Sequence, residues 1–258
     1  MRNIPSFVET ICILFRGYLP RVFKARGWVL AFIIMVPFVI VHIFVILGVV
    51  PNPARLALEL YHNGYASVVI PVIALVSASA CISEDIEQRT LPLMLVRPAP
   101  AWALPIGKGL LWFSWCSTWL LIVVTLMQLV GMEVTTIPRK IIALVFTLWA
   151  QLGLVSLLGL IFKRGILWAG IVLFLWDPLV TLLPGTMQRL TFSHYLQSLA
   201  GGQYSINNMN SLLAQAQIST PFWLAATVLI AVGALAWALC GIKVMNMQIG
   251  LSGRESEG

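Results

Sequence analysis

Asp177 is an acid set deep inside an apolar stretch, "LFLWDPLVTLLPG". Placing an acid at the centre of a membrane helix costs about 2.5 to 3.5 kcal/mol, so the carboxylate needs a partner or a function. One interpretation is a polar point on a transport path. The other is that Asp177 satisfies backbone groups freed by Pro178, or pairs with a neighbouring helix. His42 poses the same choice, because a neutral imidazole can hydrogen-bond a neighbouring helix at small cost.

The sequence carries no recognisable enzyme motif. The histidines His42, His62 and His194 are far apart, and neither HExxH nor GxSxG occurs. The fragment "PIGKG" around Lys108 lacks the glycine at position 102 and the Ser or Thr at 109 that a phosphate-binding loop needs. Cysteines and histidines show no zinc-site spacing. We therefore expect no enzyme, no catalytic residue, no metal site and no cofactor bound by this chain.

The composition is that of a membrane protein. Of the 258 residues, 60% are hydrophobic and only 10% charged, with a mean hydropathy of +0.94. A soluble domain carries about 25% charged residues. The net charge of +7 comes from basic residues in short loops and an N-terminal segment, where anionic lipid headgroups lie. Membrane lipid is thus an expected partner and nucleic acid is not.

The pattern of apolar stretches predicts an all-α, polytopic protein with one domain over residues 1–258. Each crossing needs about 20 apolar residues. Residues 1–27 form an interfacial helix, with Ile4, Phe7 and Ile11 on one face. Residues 185–220 form an external segment with short helices, broken at Gly201, before span six. Another short external helix begins at Asn52 and Pro53. The six predicted spans are about 28–50, 66–82, 109–131, 141–161, 166–184 and 221–242.

The basic residues indicate the orientation. With both termini in the cytoplasm, twelve of the sixteen Lys and Arg residues are cytoplasmic and four are external. Cytoplasmic loops are enriched in Lys and Arg, so this split favours a multi-pass protein with both termini inside. The four cysteines then lie near the cytoplasmic face, where thiols stay reduced, and we expect no disulfide.

Residues 83–108, the hinge, carry charges between two apolar spans. The core of the hinge reads "ISEDIEQRTLPLMLVRPAP", with an acid cluster followed by an apolar run. Thr90 can cap a short helix over residues 90–97, and Pro98 can stop it. Such a helix can lie at the headgroup level and accept a cytoplasmic partner; alternatively, the hinge is an interfacial loop solvated by its charges.

The hinge resembles the cytoplasmic motif of type-2 ABC transporter permeases. In that motif an acid, Gly-Thr-Leu, a leucine-rich turn, Pro and a later Lys join spans two and three. Arg89 stands here where the family usually has Gly, and Pro92 where it usually has an acid. The interfacial helix, six spans and external segment extend the resemblance over the whole chain. The matched positions are Glu87, Thr90, Leu91, Pro98 and Lys108.

The resemblance implies a function and a set of partners. Two permease copies, identical or paralogous, would form a dimer in the plasma (inner) membrane of a bacterium or archaeon. Each would bind a cytoplasmic ABC ATPase that holds ATP and Mg, and ATP-driven closure would rock the spans to export a substrate. An apolar, aromatic path fits lipids, hydrophobic drugs, lipopeptides or a polymer. Further charges able to meet the ATPase are Glu84, Asp85, Arg89 and Arg97.

Three other interpretations stay open. The "LPLMLVRPAPAWALPIGKG" region and the following "GMEV" are also similar to the haem-exporter-like permease of cytochrome c maturation. Outside transport, the chain could be an intramembrane enzyme that uses Asp177 and a polar partner. It could also be a structural membrane subunit.

Overall fold

The computed structural model describes residues 15–20, 22–23, 25–83, 102–162, 164–181, 185–201 and 220–255. Throughout these ranges the regular structure is helical, with no strand. Most of the predicted interfacial helix and residues 84–101 of the hinge lie outside them. The helices are α1 Ala25–Ile46, α2 Pro53–Cys81, α3 Ala103–Leu126, α4 Ile137–Ile161, α5 Gly165–Val180, α6 Phe192–Ala200 and α7 Phe222–Glu255.

Five helices are long and apolar enough to cross a membrane, which makes this a multi-pass membrane protein. Large apolar side chains, such as Phe32 on α1 and Leu235 on α7, remain exposed on their outer faces, as expected for helices surrounded by lipid. α5 is apolar too but shorter. The five segments are Ala25–Ile46, Pro53–Cys81, Ala103–Val130, Val134–Ile161 and Phe222–Asn246.

α4 is the central helix of the bundle. It contacts α2, α3, α5, α6 and α7, while α1 packs mainly on α3 and α2. Small residues let these helices approach closely. The indole of Trp237 on α7 fills a slot between two glycines: a Cβ at Gly109 of α3 would overlap its six-membered ring, and one at Gly153 of α4 would lie 3.1 Å from its Nε1. The glycines therefore position α7 against both helices.

α4 and α7 run in the same direction. Trp149 packs on Gly233, and one turn further along both helices Gly153 packs on Trp237. At the far end, Gly241 of α7 lies against Trp102, which precedes α3. The bundle thus has two ends. The α6 end contains α6 and the turns 47–52 and 127–136, and the hinge end contains Ser83 and Trp102.

α2 differs from the sequence prediction. The predicted start is confirmed, since Asn52 Oδ1 accepts from the Arg55 amide at 3.2 Å and Pro53 occupies the first turn. The helix does not stop before the span, however. It continues through wider π-helical turns over Leu60–Val69 and into Ile70–Ala78, so the predicted short external helix is the first part of α2.

Two tyrosines in the wider turns hold α2 in place. Tyr61 Oη donates to the Lys140 carbonyl of α4 at 2.9 Å, and Tyr65 Oη donates to the Ile34 carbonyl of α1 at 2.7 Å. Both side chains are fully buried. Because buried hydroxyls need partners, these bonds stabilise a helix through "HNG", which by propensity favours a break.

The tryptophans at the start of α3 join it to α1. Trp115 Nε1 donates to the Gly27 carbonyl at 3.1 Å, and the Trp115 and Trp119 rings lie edge-on to Trp28, each at 6.3 Å. Trp112 is buried. These rings therefore pack between α1 and α3, close to the hinge end of the bundle.

Candidate functional site

Asp177 binds the first turn of α6. Its Oδ1 accepts from the Phe192 amide at 2.7 Å, and its Oδ2 accepts from the Ser193 hydroxyl. The residue is 7% exposed. An acid at a helix N-terminus satisfies free amides and complements the helix dipole. The carboxylate thus acts as a cap supplied by α5 to α6, which is the pairing with a neighbouring helix considered from the sequence.

A chain of polar side chains joins α6 to the start of α7. Thr191 caps α6 by accepting from the His194 amide at 3.3 Å. The His194 Nε2 lies 2.9 Å from the Thr220 Oγ1, which in turn lies 3.0 Å from the Ser198 Oγ. α6 ends at Gly201, whose φ of 74° suits glycine. α6 is therefore fastened at its first turn by Asp177 and along its length by Thr220.

His194 favours the neutral state. Burial lowers the pKa of His194 below its usual value, and the nearby Arg189 lowers it further. A neutral imidazole can accept from or donate to the Thr220 hydroxyl, depending on its tautomer. The contact between α6 and α7 thus needs no charge on this histidine.

We call the polar residues that fasten α6 the α6 cluster: Asp177, Thr191, Ser193, His194, Ser198 and Thr220. Among the described residues, this cluster lacks the hydrogen bonds that connect a catalytic triad. A base must be oriented by an acid and must in turn bond the nucleophile. In the part of the chain that the structure describes, Asp177 bonds Ser193 while His194 bonds Thr220, so acid and imidazole serve different hydroxyls. No group of three metal-ligating side chains occurs among the described residues either. What the arrangement does is hold α6 across one end of the bundle.

His42 lies apart from this cluster, on α1. Its ring stacks on Phe38 with centroids 5.5 Å apart, and its buried Nδ1 has no hydrogen-bond partner among the described residues. The structure does not bring His42 and Asp177 together through any contact. A role for either residue in a transport path stays a prediction.

Lys108 is the member of the hinge motif that the structure describes. It lies within α3, because that helix begins at Ala103 and not near 109 as the hydropathy suggested. The side chain is 3% exposed, and its Nζ lies 4.5 Å from the centroid of the Tyr18 ring. This cation–π contact joins the N-terminal segment to the base of α3. The other hinge positions lie outside the described residues: Glu84, Asp85, Glu87, Arg89, Thr90, Leu91, Arg97 and Pro98.

The sequence reasoning missed the α6 cluster and a buried lysine, Lys140, in the first turn of α4. The cap at Thr191 has a readable signal, since Thr before an amphipathic run and Gly201 after it mark a short helix. The partners of Asp177 have none, because Ser193 is sixteen residues away in sequence and meets the carboxylate only through the fold. In the sequence, Lys140 is one of two adjacent basic residues in a predicted turn, and nothing in that pattern indicates that it is buried.

The sequence matches no protein-family model, and no curated protein is significantly similar to it. The chemistry of the site is therefore interpreted from its own residues.

Proposed function

We propose that this chain is the permease subunit of an ABC exporter, driven by a separate cytoplasmic ATPase that grips the hinge. A soluble motor can move buried helices only through an element it can touch, and the hinge joins α2 to α3. ATP and Mg belong to the partner, and this chain is not itself an enzyme. A second copy or a paralogue completes the path in the plasma membrane.

The observation that best supports this proposal is the contact between Lys108 and Tyr18. Lys108 closes the motif that resembles the type-2 permeases, and Tyr18 belongs to the segment proposed as the interfacial helix. Their cation–π contact ties together the two elements that an ATPase would grip. A force applied to the hinge or to the interfacial helix would therefore reach the base of α3. From there the motion would pass to the helices packed on α3.

The parallel packing of α4 and α7 supports six crossings. If both helices cross the membrane in the same direction, the chain between them must return across it once. α5 starts beside the end of α4, and a 16-residue helix covers about 24 Å. In the proposed six-span topology, α5 would provide this return. Six crossings place both termini on one side, and the excess of Lys and Arg assigns that side to the cytoplasm.

The polar residues we assign to the path are Asp177 and His42. Asp177 also caps α6, which lies across the α6 end of the bundle and, in this orientation, covers the outer surface. Because α6 packs on α4 and α7 through the buried Leu196 and Leu199, it would move with those helices when the spans rock. The exported substrate would leave past α6.

Charge reversal in the hinge tests the proposal. We expect the purified chain to carry a vanadate-sensitive ATP-hydrolysing partner, and Glu87→Arg to lower the bound activity at least tenfold, because reversal repels a complementary cleft. The measurement is ATP hydrolysis per mole of purified chain, with thermal stability to confirm folding. Glu257→Arg is the matched control, since it makes the same change near the C-terminus.

Two results would reject the proposal. If wild-type protein purified from native membranes never shows vanadate-sensitive ATP hydrolysis, the chain has no bound ATPase. Equal hydrolysis by wild type, Glu87→Arg and Glu257→Arg would mean that the hinge does not hold it.

A further inference from the structure

The hydrogen bonds around Thr220 determine which ring nitrogen of His194 carries the proton. The Ser198 hydroxyl has one proton and donates it to the His194 carbonyl at 2.9 Å, because a carbonyl oxygen can only accept. The contact of 3.0 Å between Ser198 Oγ and Thr220 Oγ1 then requires Thr220 to donate. Thr220 has no further proton, so at 2.9 Å it must accept from His194 Nε2. His194 therefore carries its proton on Nε2.

The other ring nitrogen of His194, Nδ1, is the one that can take up a proton. A neutral imidazole that is protonated on Nε2 has a lone pair on Nδ1. Among the described residues, Nδ1 makes no hydrogen bond and His194 forms no ion pair. Protonation would thus leave the bond to Thr220 in place and would put a full positive charge on the ring.

The packed position of His194 does not suit a positive charge. The residue is 3% exposed, and burial lowers the pKa of its imidazole below the usual value of 6.5. It lies in the first turn of α6, at the positive end of the helix dipole. Arg189, in the turn just before α6, lowers the pKa of His194 further. A charged ring is therefore more stable where water can reach it than in this position.

The elements packed against α6 bring few acids to this end of the bundle. Both oxygens of Asp177 on α5 are hydrogen-bonded, to the Phe192 amide and the Ser193 hydroxyl. Glu59, which precedes the wider turns of α2, pairs with Arg55. The other ionisable side chains on the described parts of these elements are bases, phenols and thiols: His62, Tyr61, Tyr65 and Cys81 on α2, Arg139 and Lys140 on α4, Tyr195 on α6 itself, and Cys240 and Lys243 towards the far end of α7.

We propose that the contact between His194 and Thr220 is a pH-sensitive latch on α6, which is closed while Nδ1 is unprotonated and is loosened by protonation there. An open form that admits water binds the proton more readily than the packed form. The latch is thus fully closed above the usual histidine pKa of about 6.5 and weakens as the pH falls below it.

The latch acts on a helix that depends on its contacts. α6 has nine residues, too few for a helix to be stable alone. Leu196 and Leu199 are buried and continue to pack at low pH, so the opening is local. In the orientation proposed above, the latch would respond to the pH outside the membrane. It requires neither the hinge nor the ATPase.

Hydrogen–deuterium exchange of the α6 amides in the full-length chain tests the latch. Purified protein in detergent is exchanged at about pH 7.5 and about pH 5.5, on either side of the usual histidine pKa. After correction for the intrinsic effect of pH on exchange, we expect the protection of residues 192–200 to fall about fivefold at the lower pH. The amides at the centre of α4 are the internal reference and should keep their protection.

Three substitutions assign the response to His194. His194→Gln keeps a donor for Thr220 but does not titrate, so its protection should be the same at both pH values. Arg189→Gln keeps the histidine and removes the nearby charge, so the fall in protection should be smaller than in the wild type. Arg139→Gln is the matched control: it removes the same charge at the other end of α6, beside Gly201, and should respond to pH as the wild type does.

Two outcomes would overturn the proposal. Equal corrected protection of α6 at both pH values in the wild type would show that protonation does not loosen the helix. An undiminished pH response in His194→Gln would show that another group, such as Asp177 or His62, is responsible. Arg189→Gln changes an exposed side chain, so if His194→Gln does not fold, an undiminished response in Arg189→Gln would reject the latch in its place.

Discussion

At the scale of single residues, Asp177 shows how one carboxylate can satisfy a demand created in another part of the chain. α6 is a short helix with few turns of its own, and its first amides need acceptors. Thr191 supplies one and Asp177 supplies another from α5. The acid that looks isolated in an apolar stretch is thereby held by two donors.

Substitution of Asp177 separates its structural role from a role in transport. Asp177→Ala should lower the free energy of unfolding by about 2 kcal/mol, since two donors lose a charged acceptor. Asp177→Asn keeps an oxygen for the Phe192 amide and should cost less than half as much. The measurement is thermal or denaturant unfolding in detergent, with Glu59→Gln, which breaks an exposed ion pair, as a control expected to change little.

Transport gives the second readout. If Asp177→Asn folds normally but no longer transports substrate, the charge of Asp177 acts in the transport path. Normal stability of Asp177→Ala would contradict the cap.

At the scale of elements, the bundle is positioned by small residues that admit large ones. Trp237 reaches both α3 and α4 because Gly109 and Gly153 have no side chain. Membrane helices pack through such close approaches, since burial of apolar surface gives little advantage over lipid. The same logic explains why Trp149 fits over Gly233.

Gly109→Ala should destabilise the bundle by about 1 to 3 kcal/mol, because the added methyl overlaps the Trp237 ring and one side chain must move. Unfolding in detergent measures the loss. Trp237→Phe in the same chain should recover part of it by removing the overlapping ring atoms. Gly170→Ala is the control: its Cβ meets nothing within 4 Å, so alanine should be neutral or slightly stabilising. Equal effects of the two Gly→Ala changes would contradict the packing described.

The helix boundaries show which features of the fold a sequence pattern does not predict. Hydropathy predicts the apolar centre of each long helix, because composition alone decides it. It does not predict that α2 runs through "HNG", since that depends on Tyr61 and Tyr65 reaching carbonyls on other helices. Lys108 likewise falls inside α3 because the preceding apolar turn buries Ala103 and Pro105. The partner of Asp177 and the burial of Lys140 are contacts distant in sequence, and no local pattern encodes them.

At the scale of the whole molecule, the two ends of the bundle have different chemistry. The hinge end contains the contact between Lys108 and Tyr18. The α6 end contains a short amphipathic helix, and Lys140 packs over the Tyr61 ring there. In the proposed exporter, force would enter at the first end and substrate would leave at the second. The long helices between them, packed on α4, would carry the motion.

The most direct measurement is the accessibility of a cysteine at position 87 to a membrane-impermeant maleimide. Inverted vesicles from cells that express the variant are labelled before and after peripheral proteins are stripped by alkaline wash, with the parent chain as background. We expect no labelling in sealed right-side-out vesicles, weak labelling in inverted vesicles, and strong labelling after stripping, because the proposed ATPase would cover the hinge. Labelling from the outer face, or equal labelling before and after stripping, would contradict it.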